Sequence, residues 1–119
     1  MGTARDRAGA DLDARRAEIE ARVATLDAEI EQLRADRAVD SADDEHDPEG
    51  VTLSTEWSRL VGLRDGAARE RAEIVAAEER RTTGTYGVCV DCGRRIPSAR
   101  MHARPEAQRC VACAEKAGL

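Results

Sequence analysis

Residues 84–119, GTYGVCVDCGRRIPSARMHARPEAQRCVACAEKAGL, hold all four cysteines of the chain, as the pairs Cys89/Cys92 and Cys110/Cys113. Their Cys-x2-Cys-x17-Cys-x2-Cys spacing is that of a four-thiolate zinc site. Two residues between cysteines let one tight turn aim both sulfurs at one ion. Gly93, directly after Cys92, suits such a turn because glycine takes positive φ without a Cβ penalty. The 17 intervening residues let the chain loop out and return, so that the second pair closes a tetrahedron around a borderline-soft cation. Four cysteines leave no position for water, so the expected cofactor is a structural Zn2+. Iron in the same sulfur shell stays open as the alternative. A pair of redox-active CxxC sites would call for a βαβ pattern, which does not accompany them. Structural disulfides are not expected, since nothing resembles a secretory signal and the chain reads as cytoplasmic.

Outside this segment the composition changes character. Aromatic residues make up 2% of the 119 residues, with one Trp, one Tyr and no Phe, while charged residues make up 36%. A compact globule of this length needs more large apolar side chains. Long helices rich in Ala, Glu, Arg and Leu fit better. No apolar run is long enough to cross a bilayer, so no membrane partner is expected. The net charge of −5 is unevenly spread: Arg80 to Leu119 carries eight Arg/Lys against three Asp/Glu, and Met1 to Glu79 eleven against twenty-one. Nucleic-acid binding rests on dense basic patches, so the acidic majority argues against direct recognition of DNA sequence.

Residues 1–10 are small, polar and glycine-containing, and are expected to form a disordered lead-in. From Asp11 or Asp13 a helix is predicted to about Ala38, roughly 40 Å long. Leu12, Ile19, Val23, Leu26, Ile30 and Leu33 form its apolar seam, stepping by four and three beyond Ile19. Arg16 and Arg37 fall on the same seam near its ends. A second helix is predicted from about Ser54 to Arg81, capped by Ser54 or Thr55. Its stripe is Leu60, Leu63, Ala67, Ile74 and Ala77, with Leu53 and Trp57 near the start. Gly62 and Gly66 weaken it by roughly 1 kcal/mol each relative to Ala. Two stripes of similar length predict an antiparallel helical hairpin over 11–83 within a monomer. A dimeric coiled coil is the alternative.

The expected fold is therefore mainly α: an antiparallel helical hairpin (coiled coil) with an acidic tip, followed by a small four-cysteine zinc finger over 84–119. The tip, at about 39–53, lies within AVDSADDEHDPEG (Ala38 to Gly50). Asp40, Asp43, Asp44, Glu45, Asp47 and Glu49 crowd there without a Lys or Arg, and Pro48 and Gly50 mark the turn. Such crowding costs stability unless a cationic partner or a metal compensates it. The plainer reading is a solvated acidic turn. The stretch lacks the EF-hand pattern. With no nucleophile and base pair, no glycine-rich phosphate loop and no open metal site, an enzyme is not expected.

Gly84, Tyr86, Gly87, Cys89, Cys92, Gly93, Ile96, Pro97, Arg100, Ala103, Pro105, Cys110 and Cys113 stand in an order and spacing that resembles the zinc finger of the DksA/TraR family of bacterial transcription regulators. The hairpin and acidic tip ahead of the finger are similar to that family's layout. The resemblance implies direct binding to bacterial RNA polymerase, with the coiled coil inserted into the secondary channel and acidic residues presented near the catalytic centre. The alarmone ppGpp often takes part in that family's effect, and no residue here is assigned to it. The family tip carries Asp-x-x-Asp-x-Ala. Asp44 and Asp47 are the preferred match, being nearer Pro48, and Asp40 and Asp43 are the second register. In either register the Ala position holds a glutamate, Glu49 or Glu45. Arg80, Arg81, Arg94, Arg95 and Arg104 are basic residues near the finger, expected as solvated surface. A reading from another class is a zinc-stabilised coiled-coil adaptor for a different protein, with no transcriptional activity.

Overall fold

The computed structural model of the chain describes residues 4–40 and 48–119. Four helices follow in order: α1 (Ala4–Asp40), α2 (Pro48–Thr83), α3 (Ser98–Ala103) and α4 (Val111–Lys116). Among the described residues there is no strand, only an antiparallel bridge between Val88 and Arg95. None of the described helices is long and apolar enough to cross a membrane.

Both long helices extend beyond the bounds expected from the seam. α1 is helical from Ala4, so the disordered lead-in over 1–10 is corrected from that residue on. Ala and Arg are strong helix formers and outweigh the single Gly9. Gly9 also sits close to α2: a Cβ built there would come within 3.0 Å of the Arg81 guanidinium. α2 starts at Pro48, ahead of Ser54, which leaves Ser54 and Thr55 inside the helix rather than at its cap. Proline is at home in a first helical turn, where its missing N–H would have had no partner.

The chain divides into two compact units. The unit Ile19–Glu70 pairs the C-terminal part of α1 with the N-terminal part of α2. Leu26, Leu33 and Leu60 form its buried core, with Ile30, Leu53 and Trp57 packed against them. Asp27 accepts from Arg64 Nε at 3.0 Å, and Arg22 pairs with Glu70. The partner's number falls on α2 as it rises on α1, which is the antiparallel register of a hairpin. Trp57 is half-buried, and Arg34 and Arg37 stand over its ring at 5.6 and 6.0 Å from the centroid. Arg37 therefore covers an indole face instead of interrupting the seam. Leu63, assigned to the α2 stripe, is 48% exposed. The buried line runs through Leu60, Ala67 and Ile74, seven residues apart, and Leu63 flanks it.

The other unit joins α1 up to Glu18 with Arg71–Leu119. Leu12, Ile74 and Ala77 are buried there. Arg16, on the seam, donates to Glu78 at 2.9 Å and is a pairing position rather than a core position. Cys89, Ile96, Met101 and Ala107 make a small second core, with Tyr86, Cys110 and Cys113 against it. His102 Nδ1 lies 3.0 Å from Asp11 Oδ2, and Arg80 Nη2 donates to the Glu106 carbonyl at 3.3 Å.

Candidate metal centre

The centre begins where α2 stops. The carbonyl of Arg80 accepts from the amides of Thr85 at 2.9 Å and Tyr86 at 3.2 Å, closing the helix end, and Gly84 carries the turn. The first knuckle follows. The Cys89 amide donates to the Arg94 carbonyl at 2.9 Å and the Gly93 amide to the Cys89 carbonyl at 3.0 Å. Gly93 has φ 73°, the left-handed conformation that the turn after Cys92 was expected to need. Ile96 N–H donates to the Gly87 carbonyl at 2.8 Å, pinning the base of the loop. The second knuckle is a helix start: Cys110 is the extended residue before α4, with φ −69° and ψ 165°, and its carbonyl accepts from Ala114 at 2.9 Å. The two knuckles are tied by the Val90 amide donating to the Gln108 carbonyl at 3.0 Å.

This backbone brings Cys89, Cys92, Cys110 and Cys113 together, with all four Sγ atoms within 4.8 Å of one another and Cys92 Sγ 4.0 Å from Cys110 Sγ. A tetrahedral zinc with Zn–S bonds of about 2.3 Å spaces its sulfurs by about 3.8 Å, so the donor set fits the ion. Burial grades across the site, from buried Cys89 to exposed Cys92. As thiols, Cys89 and Cys113 are shifted in opposite directions. The Cys92 and Cys110 amides hold Cys89 down at about 6, while hydrogen bonding to the Cys110 and Cys89 sulfurs, with burial, pushes Cys113 up to about 12. A bound cation takes all four as thiolates and releases their protons. Among the described residues no other group of three or more His, Cys, Asp or Glu side chains comes together in this way. His102 is engaged with Asp11, outside the sulfur set.

The other sequence-derived positions fall differently. Asp40 closes α1, whereas Asp43, Asp44 and Asp47 lie outside the described residues. Of the basic residues near the finger, Arg104 Nε lies 3.5 Å from Glu106 Oε1, and Arg94 and Arg95 are exposed. Burial lowers the Arg80 guanidinium from its ordinary value and raises Tyr86, the latter helped by the Asp11 carboxylate. Two features had not been singled out in the sequence. Glu106 is buried, and its Oε2 has no hydrogen-bond partner. Arg109 Nε donates to Asp91 Oδ2 at 2.6 Å, and Arg100 Nε donates to the Arg109 carbonyl at 2.9 Å. The available signal was that Asp91 and Arg109, opposite in charge, each directly precede a ligand cysteine.

A helical hairpin followed by four converging cysteines defines a helical protein with a four-sulfur site suited to a structural ion. Residues 84–117 match the family described as prokaryotic dksA/traR C4-type zinc finger. Over those residues the chain is similar to that C4-type finger, and its four close cysteines are consistent with a structural Zn2+. The solved structure of transcription factor DksA2 from Pseudomonas aeruginosa has a similar fold, with a TM-score of 0.58 at 22% identity, covering 99% of this chain and 91% of that one. An uncharacterized protein of Aquifex aeolicus (strain VF5) is 46% identical over 44 residues, 37% of this chain. That match spans 30% of the Aquifex protein's own length.

Proposed function

We propose that this protein regulates transcription by binding RNA polymerase directly, inserting its acid-tipped coiled coil into the secondary channel without recognising promoter DNA. The observation that carries this reading is a dksA/traR-type finger directly behind a two-helix hairpin whose connecting residues are acidic. A helix pair ending in carboxylates suits a narrow channel that leads to catalytic Mg2+ and basic side chains. Asp44 and Asp47 are the residues that would act there, with Asp40 and Asp43 as the second register. The zinc knot would hold the base of the hairpin against the enzyme's outer surface. The chain works in this reading as a monomer in the cytoplasm and performs no catalysis of its own.

The test is binding of the zinc-loaded chain to purified bacterial core RNA polymerase, followed through Trp57 fluorescence, in competition with a known secondary-channel factor. Saturable binding that the competitor displaces supports the channel. Absence of binding at micromolar concentrations overturns it in favour of the adaptor reading, for which the glutamate at the tip's Ala position is the motivating departure.

A further inference from the structure

Each knuckle places a charged residue immediately before a ligand: Asp91 before Cys92, and Arg109 before Cys110. The two side chains meet at 2.6 Å, Arg109 being 24% and Asp91 45% exposed. The segment carrying Arg109 is fixed twice more. Its own carbonyl accepts from Arg100 Nε at 2.9 Å, and the neighbouring Gln108 carbonyl accepts from the Val90 amide at 3.0 Å. Three bonds that involve no sulfur thus hold the approach to Cys110, two of them to the first knuckle. Cys113 sits on α4 and packs, with Cys110, against the core of Cys89, Ile96, Met101 and Ala107.

We propose that Arg109, through Asp91, is a metal-positioning residue: the clasp ties the two knuckles together, so that Cys92 and Cys110 already face each other, Sγ to Sγ at 4.0 Å, when the ion arrives. Fixing ligands before the ion arrives removes part of the ordering cost of binding. Partners that orient ligands without touching the metal typically govern its affinity by 10–100-fold. The Arg109–Asp91 pair is partly exposed, so its own contribution to fold stability is small. Its effect should therefore appear in metal retention and not in helix unfolding.

The experiment uses the full chain loaded with zinc and follows transfer to an excess of a chromophoric chelator. Arg109→Met and Asp91→Asn are each expected to release zinc on the order of 10–100-fold faster. The reversed pair, Asp91→Arg with Arg109→Asp, should recover most of that loss, and thermal unfolding of the hairpin, followed by circular dichroism, should not move. A second readout uses Co2+ alone as the probe: Asp91→Asn is expected to need more Co2+ than the unaltered chain to saturate the thiolate-to-metal absorption band. Unchanged release in Asp91→Asn overturns the clasp, as does a reversed pair no slower than the single variants. Should Arg109→Met not fold, the Asp91→Asn and reversed-pair arms decide the matter alone.

Discussion

Cys89 is 1% exposed, and its sulfur is surrounded by the amides of Cys92, Cys110 and Asp91. It is at once a ligand and a core side chain beside Ile96, Met101 and Ala107. Cys89→Ser should therefore abolish zinc binding and also loosen the finger's packing, read as zero bound zinc by native mass spectrometry and as collapse of the finger's amide dispersion by NMR. At this scale the ligands were legible because two short spacings are enough to specify tetrahedral sulfur. The pairs around them were not. Asp11 and His102 are 91 positions apart, and Asp91 and Arg109 are 18 apart. Among so many charges nothing local selects Asp11 for His102, and only adjacency to a ligand cysteine marks Asp91 and Arg109. Leu63 misled for a related reason: an apolar residue three places after Leu60 fits a helical stripe, but the packed line through Leu60, Ala67 and Ile74 leaves it on the flank.

The long helices show where element-scale reading succeeds. Leu12, Ile19, Leu26 and Leu33, seven apart on α1, are all buried, so the seven-residue period identifies the packed face directly. Helix ends were less legible. Ala, Arg and Pro propagate or start a helix in either setting, and acidic turn residues do not reveal where the last hydrogen bond falls. Leu26→Ala should lower hairpin stability by about 2–5 kcal/mol, since it empties a buried site, while Leu63→Ala, half-exposed, should cost well under that. Urea unfolding followed by Trp57 fluorescence separates the two. Gly62 carries a further expectation. A Cβ built there meets nothing within 4 Å, and its φ is not positive, so Gly62→Ala should stabilise α2 by about 1 kcal/mol. A lower urea midpoint for that variant would mean that the helix needs the glycine. The connection between Asp40 and Pro48 bears the functional expectation. Asp44→Asn with Asp47→Asn should abolish the effect on transcription in vitro while polymerase affinity changes little. Unchanged transcription would count against these two residues as the acting pair.

At the scale of the whole molecule, two kinds of stabilisation are kept in different parts of the chain. The unit Ile19–Glu70 is held by leucines and interhelical ion pairs, with no contribution from sulfur. The finger's core has only Ile96 and Met101 as large buried apolar side chains besides the ligand Cys89, too few to offset the ordering of residues 84–119. Zinc binding to a site of this kind contributes on the order of 10–16 kcal/mol at neutral pH, and so decides whether the finger folds. Removing zinc with a strong chelator should therefore unfold residues 84–119 while most of the helical circular dichroism survives. Trp57, packed on Leu26, Leu33 and Leu60, should keep its emission maximum. The helix ends that bond to the finger, through Asp11–His102 and Arg80–Glu106, should fray, giving a small graded loss of helix rather than a cooperative one. Loss of all helical signal together with a red-shifted Trp57 would show that the hairpin does not hold without the metal-bound finger.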